Sequence, residues 1–217
     1  MNILFDLDGT LTDPGEGIAR CLRHALGRLG REAPPAAALR RFVGPPLHES
    51  FTELLGADGG ALVDEAVRVY RERFEEVGMF ENRLYPGVAD GLAALSGAGH
   101  RLWVVTSKPT VYADRIVDRF GLRRWMQGVH GSELSGAYAD KRRLVRRVLD
   151  AEHLEGRGTW MVGDRRHDVR GARDNGASCI GVLWGYGSAG ELEEAEPDHI
   201  VATMPELCEM IGWEVET

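Results

Sequence analysis

Lysine is nearly absent from this chain. Of the 26 basic residues among 217, only Lys108 and Lys141 are lysines, and the rest are arginines. A chain that uses arginine almost everywhere keeps lysine where a compact ammonium is needed and a flat guanidinium cannot replace it. Cysteine is scarce as well: Cys21, Cys179 and Cys208 stand far apart with no C-x-x-C pair. That excludes a disulfide framework and leads us to expect reduced, packing thiols in a cytoplasmic protein. No apolar run reaches the roughly 18 residues that a membrane helix needs, and no basic segment followed by a long apolar one opens the sequence. Neither membrane attachment nor a signal peptide is therefore expected. Positive charge is in deficit, with 34 acidic residues leaving a net charge of -8. A sequence-independent hold on nucleic-acid phosphates is not expected from such a chain. A small anionic substrate is compatible with it, provided that local cations or a metal receive the charge.

Hydrophobic periodicity divides the chain. A first strand spans residues 2–6 and ends on "DLDGT". Residues 15–30 and 60–78 carry apolar positions at helical spacing, with Ile18, Leu22, Ala25, Leu26 and Leu29 in the first. "REAPPAA" and "GPPLHES" interrupt them, because proline removes an amide and disfavours helix before it. From residue 87 onward helix and strand alternate: helices at 87–97, 109–120, 140–152 and 168–175, strands at 101–106, 126–130, 159–163 and 178–184. Ser188 with Glu191, and Thr203 with Glu206, have capping-box spacing and open two terminal helices around "HIVA". The pattern predicts an α/β fold, a doubly wound parallel sheet of Rossmann-like form, with an all-helical insertion after the first strand. We expect a core domain of residues 1–13 and 83–217 and a helical cap of residues 14–82. The chain shows no internal repeat.

In open parallel sheets ligands sit beyond the carboxyl ends of the strands. Asp6 and Asp8 stand there, two apart and so on one side of an extended chain, with Gly9 able to turn sharply beside a ligand. By itself the Asp-Gly-Thr stretch is also ordinary turn material. "VVTSKPT" places Thr106, Ser107 and Lys108 where a strand meets a helix, a location that suits an anion or a simple helix cap. Asp164 and Asp168 follow another strand, four apart, a spacing that shares one helix face. Lys141 falls in a first helical turn, where the helix dipole disfavours a cation. Acids converging without a partner would repel strongly, and a hard divalent cation with oxygen ligands removes that objection. The expected metal is Mg²⁺, held by Asp6, Asp164 and the Asp8 carbonyl, with Asp168 orienting metal-bound water or Lys141.

The chemistry read from these residues is covalent phosphoryl transfer. Asp6 is the nucleophile and Asp8 the general acid and then base. Lys141, Thr106, Ser107 and the backbone at Gly9 receive charge on the transferring group. "DLDGT", the strand ending in Thr106, Lys141 and "GDRRHD" occur in the order of the four motifs of haloacid-dehalogenase-superfamily phosphatases, and the chain resembles that family over nearly its whole length. In the third motif Arg142 stands where a proline is frequent, which leaves Lys108 as a competing cation.

The helical insertion resembles a small cap of the C1 type. "YPGV", "TSKP", "GDRRHDVRGA" and "GVLWGYGS" are similar to phosphoglycolate-phosphatase-like members and to nucleotidase-like ones. The resemblance implies a Mg²⁺-dependent phosphomonoesterase for a small phosphorylated metabolite, phosphoglycolate first and a 5'-nucleotide second. A sugar-phosphate mutase and a catalytically silent phospho-ligand module are the other readings. It also implies that the cap chooses the substrate, through the loop carrying Arg41, Gly44, Pro45 and His48. His167 reads as a polar loop residue and not a catalyst, His130, at a strand end, is read in the same bland way, and the chain is expected to be a monomer or homodimer.

Overall fold

The computed structural model of the chain describes residues 1–214. In chain order the elements are β1 (Asn2–Phe5), β2 (Thr12–Asp13), α1 (Gly15–Arg28), α2 (Ala36–Leu39), α3 (Leu47–Leu55), α4 (Val63–Glu76), β3 (Arg83–Leu84) and α5 (Val88–Gly97). They continue with β4 (Arg101–Pro109), α6 (Thr110–Arg119), β5 (Met126–Ser132), α7 (Lys141–Ala151), β6 (Thr159–Gly163), α8 (Arg166–Arg173) and β7 (Ser178–Val182). α9 (Ala189–Ala195), β8 (His199–Val201) and α10 (Met204–Glu214) close the described chain. The contacts separate two compact units, Asp13–Arg83 and the described residues on either side of it. The sequence places the boundaries one residue away at each crossing.

The larger unit is built on a six-stranded parallel sheet of order β5-β4-β1-β6-β7-β8. Its inner strands read as apolar runs, as strands covered on both faces do: Leu102 to Val105 and Trp160 to Val162 are buried throughout. β1 is central. Phe5 lies opposite Val104 of β4 and Val162 of β6. The strand order reverses here, and the crevice at such a reversal is where open α/β sheets bind ligands. α7 shows how the covering helices are chosen. Leu144, Val145, Val148 and Leu149 form its buried face, over Leu4, Trp103 and Met161. Its arginines face away from that core. Asp140 caps it, its carboxylate accepting the Arg142 amide at 2.8 Å.

The helical unit has a core of its own. α1 contributes Ile18, Leu22 and Leu26, and α4 contributes Val67, Tyr70 and Phe74. Tyr70 stacks on Phe74 at 5.6 Å between ring centroids and meets the edge of Phe51 at 6.1 Å. Arg73 and Arg20 both reach Glu81, at 2.8 and 2.6 Å.

Three expectations are corrected in detail. "GPPLHES" is loop only as far as Pro46, and α3 begins at Leu47. Pro46 has φ -57° at the helix entrance, a position at which proline's missing amide costs nothing. His48 is therefore in the first turn of a helix. α8 starts at Arg166, two residues before the expected 168. β4 continues to Pro109 through an irregularity: four steps from Val105 to Pro109 face only two from His130 to Ser132 on β5. The extra residues bulge, and bulges beside sites re-aim side chains.

Among the described residues no helix is long and apolar enough to cross a membrane. Leu144 is fully buried under α7, and Leu144→Ala is expected to cost about 2–5 kcal/mol, measured as a lowered urea midpoint with an unchanged denaturant slope.

Candidate active site

Adjacent strand ends bring the site together. Asp6 follows β1, its amide donating to Val162 O at 2.9 Å, which ties it to β6. Asp164 follows β6 directly. Thr106, buried, begins the β4 bulge. Gly9 turns the first loop with φ +91°, and a Cβ there would stand 2.3 Å from Asp164 Oδ2. Only glycine lets the two acid loops approach this closely.

Lys141 enters from α7 and is 3% exposed. Its Nζ is 2.9 Å from Asp6 Oδ1 and 2.8 Å from Asp168 Oδ1, and it donates to Val105 O at 3.0 Å. Three acceptors match the three protons of an ammonium. The stem fits because α8 presents Gly171, where a Cβ would lie 2.7 Å from Lys141 Cγ. Burial works against the charge, but Asp168 and Asp6 outweigh it and hold this pKa above the ordinary lysine value.

The second lysine pairs with the other opening acid. Lys108 Nζ lies 2.6 Å from Asp8 Oδ2, with side chains 8% and 11% exposed. Thr12 Oγ1 donates to Asp8 Oδ1 at 3.4 Å. Burial raises the Asp8 pKa, Lys108 opposes that, and the charge of Asp6 adds to it. Both lysines of the chain thus serve the two carboxylates of "DLDGT", one each. Sequence reasoning had Lys108 only as a rival to Lys141. The scarcity of lysine held the signal for both.

Asp6, Asp164 and Asp168 each offer one oxygen, all within 4.8 Å of one another. Lys141 pairs with two of these acids. Asp164 instead accepts the Tyr186 amide at 2.7 Å and the Thr10 hydroxyl at 3.5 Å. Burial, then Asp168 and Asp6, push its pKa to about 8. Burial also raises Asp168, to about 6, with Lys141 opposing and Asp6 adding. An all-oxygen donor set with more negative charge than one ammonium offsets fits a hard divalent cation such as Mg²⁺. Asp168 belongs to this set by distance while it also holds Lys141 and, through Oδ2, the Arg165 amide at 3.1 Å. The shared helix face expected for Asp164 and Asp168 is not what joins them, since Asp164 precedes α8. The Asp8 carboxylate points to Lys108.

Other expected residues find other partners. The Ser107 hydroxyl donates to Ala139 O at 2.9 Å, tying the end of β4 to the segment before α7. The Thr106 hydroxyl oxygen accepts the Lys108 amide at 3.3 Å. Within the helical unit Arg41 pairs with Glu53 and lies over the Phe42 ring, and His48 Nε2 is 3.3 Å from Asp64. Gly44 takes φ +104° beside Pro45. His130 pairs with Glu152 at 2.8 Å, and His167 is exposed on α8. Sequence reasoning gave no role to the amide of Tyr186, although "LWGYGS" sets two glycines around it.

A central strand ending in paired acids, a hydroxyl strand end, a buried lysine and a third strand ending in acids define one class. Residues 3–182 match the family described as haloacid dehalogenase-like hydrolase. The chain belongs to that family and is an enzyme of the hydrolase class, and the expectation of a phosphatase from this superfamily is borne out. A 5'-nucleotidase of Pseudomonas aeruginosa is 47% identical over 97% of this chain and 95% of its own length. Tyrosine-protein kinase PtkA of Mycobacterium tuberculosis is 37% identical, over 97% of this chain and 72% of its own. A phosphoglycolate phosphatase of Vibrio cholerae is 26% identical over 96% of both chains. Among solved structures, a predicted phosphatase from Clostridium acetobutylicum superposes with a TM-score of 0.91 at 38% identity, covering 97% of each chain.

The raised pKa of Asp164 has a thermodynamic consequence. The unfolded carboxyl ionises near pH 4, whereas the folded one keeps its proton to about pH 8. Between those values the folded state binds more protons, so its contribution to stability is full below about pH 4 and declines as pH rises. In EDTA the urea midpoint is expected to fall from pH 5 to pH 8, and saturating Mg²⁺ to flatten that slope. Asp164→Asn is expected to flatten it without metal; an unchanged slope in that variant would assign the effect to other groups.

Proposed function

We propose that the protein is a Mg²⁺-dependent phosphomonoester hydrolase that forms an aspartyl-phosphate on Asp6 and acts first on nucleoside 5'-monophosphates. The observation that carries the chemistry is the unequal pairing of two neighbouring acids: Asp6 with Lys141 and Asp8 with Lys108. Asp6 faces the buried Lys141 ammonium at 2.9 Å and serves as the nucleophile, while Asp8 has its proton affinity raised by burial. Neighbouring acids with divergent environments divide into nucleophile and proton carrier.

In the first step an Asp6 oxygen attacks phosphorus, the bond from phosphorus to the leaving oxygen breaks, and Asp8 gives that oxygen its proton. In the second, water attacks the same phosphorus, Asp8 takes the water's proton, and the Asp6–phosphorus bond breaks to release phosphate. Lys141, Thr106 and the amides around Gly9 receive negative charge on the transferring oxygens. Asp6 and Asp164, with the Asp8 carbonyl and the neighbouring Asp168, would hold Mg²⁺, which neutralises charge on the phosphoryl oxygens when bound.

The substrate order differs from the one the motifs suggest. The nucleotidase-named relative is far more similar than the phosphoglycolate-phosphatase-named one, 47% against 26%. That supports nucleotides ahead of phosphoglycolate. Substrate choice by the helical unit, through Arg41, Gly44, Pro45 and His48, belongs to the same proposal, as does a cytoplasmic location.

Phosphate release is expected from nucleoside 5'-monophosphates with Mg²⁺, to be lost in EDTA, and to exceed that from phosphoglycolate and sugar phosphates at equal concentration. A preference for phosphoglycolate would reverse the substrate order, and a requirement for a bisphosphate activator would indicate a mutase. Asp6→Asn is expected to lower kcat at least about 10³-fold with the fold intact. Retained turnover in that variant would refute the covalent step.

The effect of Asp8→Asn is expected to depend on the leaving group. With an alkyl phosphate, whose leaving oxygen needs a proton, kcat is expected to drop about 10²-fold or more. With 2,4-dinitrophenyl phosphate the first step needs no acid, and the loss of phenolate release in a burst experiment is expected to be under about tenfold. Equal losses on both esters would remove the general acid assignment.

A further inference from the structure

The loop after β7 closes on the acid loops at five points. The Trp184 indole Nε1 donates to Thr10 O at 2.9 Å, across 174 residues of sequence. The Tyr186 amide donates to Asp164 Oδ2 at 2.7 Å. A Cβ on Gly185 would meet Asp164 Oδ2 and Gly9 O, both at 2.4 Å. A Cβ on Gly187 would meet Asp164 O at 1.9 Å. The Thr10 hydroxyl in turn reaches Asp164 Oδ1 at 3.5 Å. One short segment therefore touches the loop that carries Asp6 and Asp8 and the loop that carries Asp164, and its two glycines leave no space for a side chain.

We propose that Trp184–Gly187 is a positioning strap for the metal-binding acids. Trp184 fixes the turn at Gly9 and Thr10, Tyr186 fixes the direction of the Asp164 carboxylate, and the glycines set how closely the two acids approach. The strap touches no reacting atom. Its effect is on the geometry of the oxygen set before the cation arrives, and donors of this kind to metal ligands typically change affinity by about 10–100-fold when removed. Asp164 needs such support more than its neighbours do. Lys141 orients Asp6 and Asp168, whereas the hydrogen bonds fixing Asp164 come from Thr10 and the Tyr186 amide.

The inference rests on the reading of Asp6 and Asp164 as Mg²⁺ ligands, and the test separates the two. Mg²⁺ binding to the EDTA-treated, dialysed 217-residue chain is measured by calorimetry, with no substrate present. Trp184→Phe keeps the ring and removes the donor, and its Mg²⁺ dissociation constant is expected to rise about tenfold. Gly185→Ala forces Asp164 or Gly9 to shift and is expected to raise it further. Val148→Ala, in the core under α7, serves as a control that lowers Tm by a comparable or larger amount and leaves Mg²⁺ affinity unchanged.

Unchanged Mg²⁺ affinity in a folded Trp184→Phe chain would overturn the strap, as would an equal loss in Val148→Ala. No Mg²⁺ binding by the unaltered chain would instead overturn the metal reading and the strap with it. Should Gly185→Ala fail to fold, Trp184→Phe and Trp184→His decide alone. The histidine offers a ring N–H in place of the indole, and partial recovery of affinity relative to phenylalanine is expected.

Discussion

One ammonium is set against three buried carboxylates. Lys141 lies between Asp6 and Asp168, while Asp164 completes a triangle whose oxygens fall within 4.8 Å of one another. Two unit charges about 4 Å apart interact by roughly 4 kcal/mol at an effective dielectric near 20. Three acids carry more charge than one ammonium neutralises, and Asp168 and Asp6 add to burial in raising the proton affinity of Asp164. The same imbalance is what makes an all-oxygen set of this kind compatible with a hard divalent cation. Other features of the larger unit are arranged so that the acids cannot relax apart.

The sheet order is the first of these arrangements. With β1 between β4 and β6, Phe5 pairs with Val104 on one side and Val162 on the other. Asp6, Thr106 and Asp164 then emerge from three neighbouring strands at nearly one level, although 158 residues separate the two acids. The parallel direction gathers these ends on one edge. Lys141 comes from the opposite requirement: α7 must lie across Leu4, Trp103 and Met161 to bury its apolar stripe, and its first residue then projects over the end of β1. The cost of a cation at a helix N-terminus is offset by ion pairs with Asp6 and Asp168. Packing in the core and charge at the site are consequences of the same helix placement.

Much of this was legible in the residues. The alternation from residue 87 onward and the apolar first strand implied the parallel sheet, and helical periodicity in 15–30 and 60–78 implied the insertion. The acids were legible because strand-terminal carboxylates in pairs have little use in packing. What escaped was direction. Spacing does not say that the bulge between Val105 and Pro109 turns Lys108 toward Asp8, or that the Ser107 hydroxyl turns to Ala139. α3 was hidden by prolines, which end helices in most contexts and here begin one. Asp164 and Asp168 were joined for the wrong reason: the spacing suggested one helix face, while a turn and a first helical turn bring them together. The strap after β7 is held by an indole and an amide, and backbone donors leave no side-chain signature in a sequence.

The distribution of lysine and arginine closes the argument. At exposed positions this chain uses guanidinium groups that pair in forks with carboxylates, as Arg123 does with Asp114 and Asp118 or Arg142 with Asp140. Such pairs are solvated and tolerate a broad planar group. The Lys141 position does not. Its three acceptors, Asp6, Asp168 and Val105 O, surround a single nitrogen within 3.0 Å, and Gly171 is already reduced to a hydrogen to admit the stem. A fork there would have to point two or three nitrogens into space that the acids occupy. Lys108, its side chain 8% exposed, likewise sets its nitrogen against an oxygen of Asp8. Whatever biased the rest of the chain toward arginine met a steric and electrostatic bound at two points only, and both points lie against the acids of the first strand end.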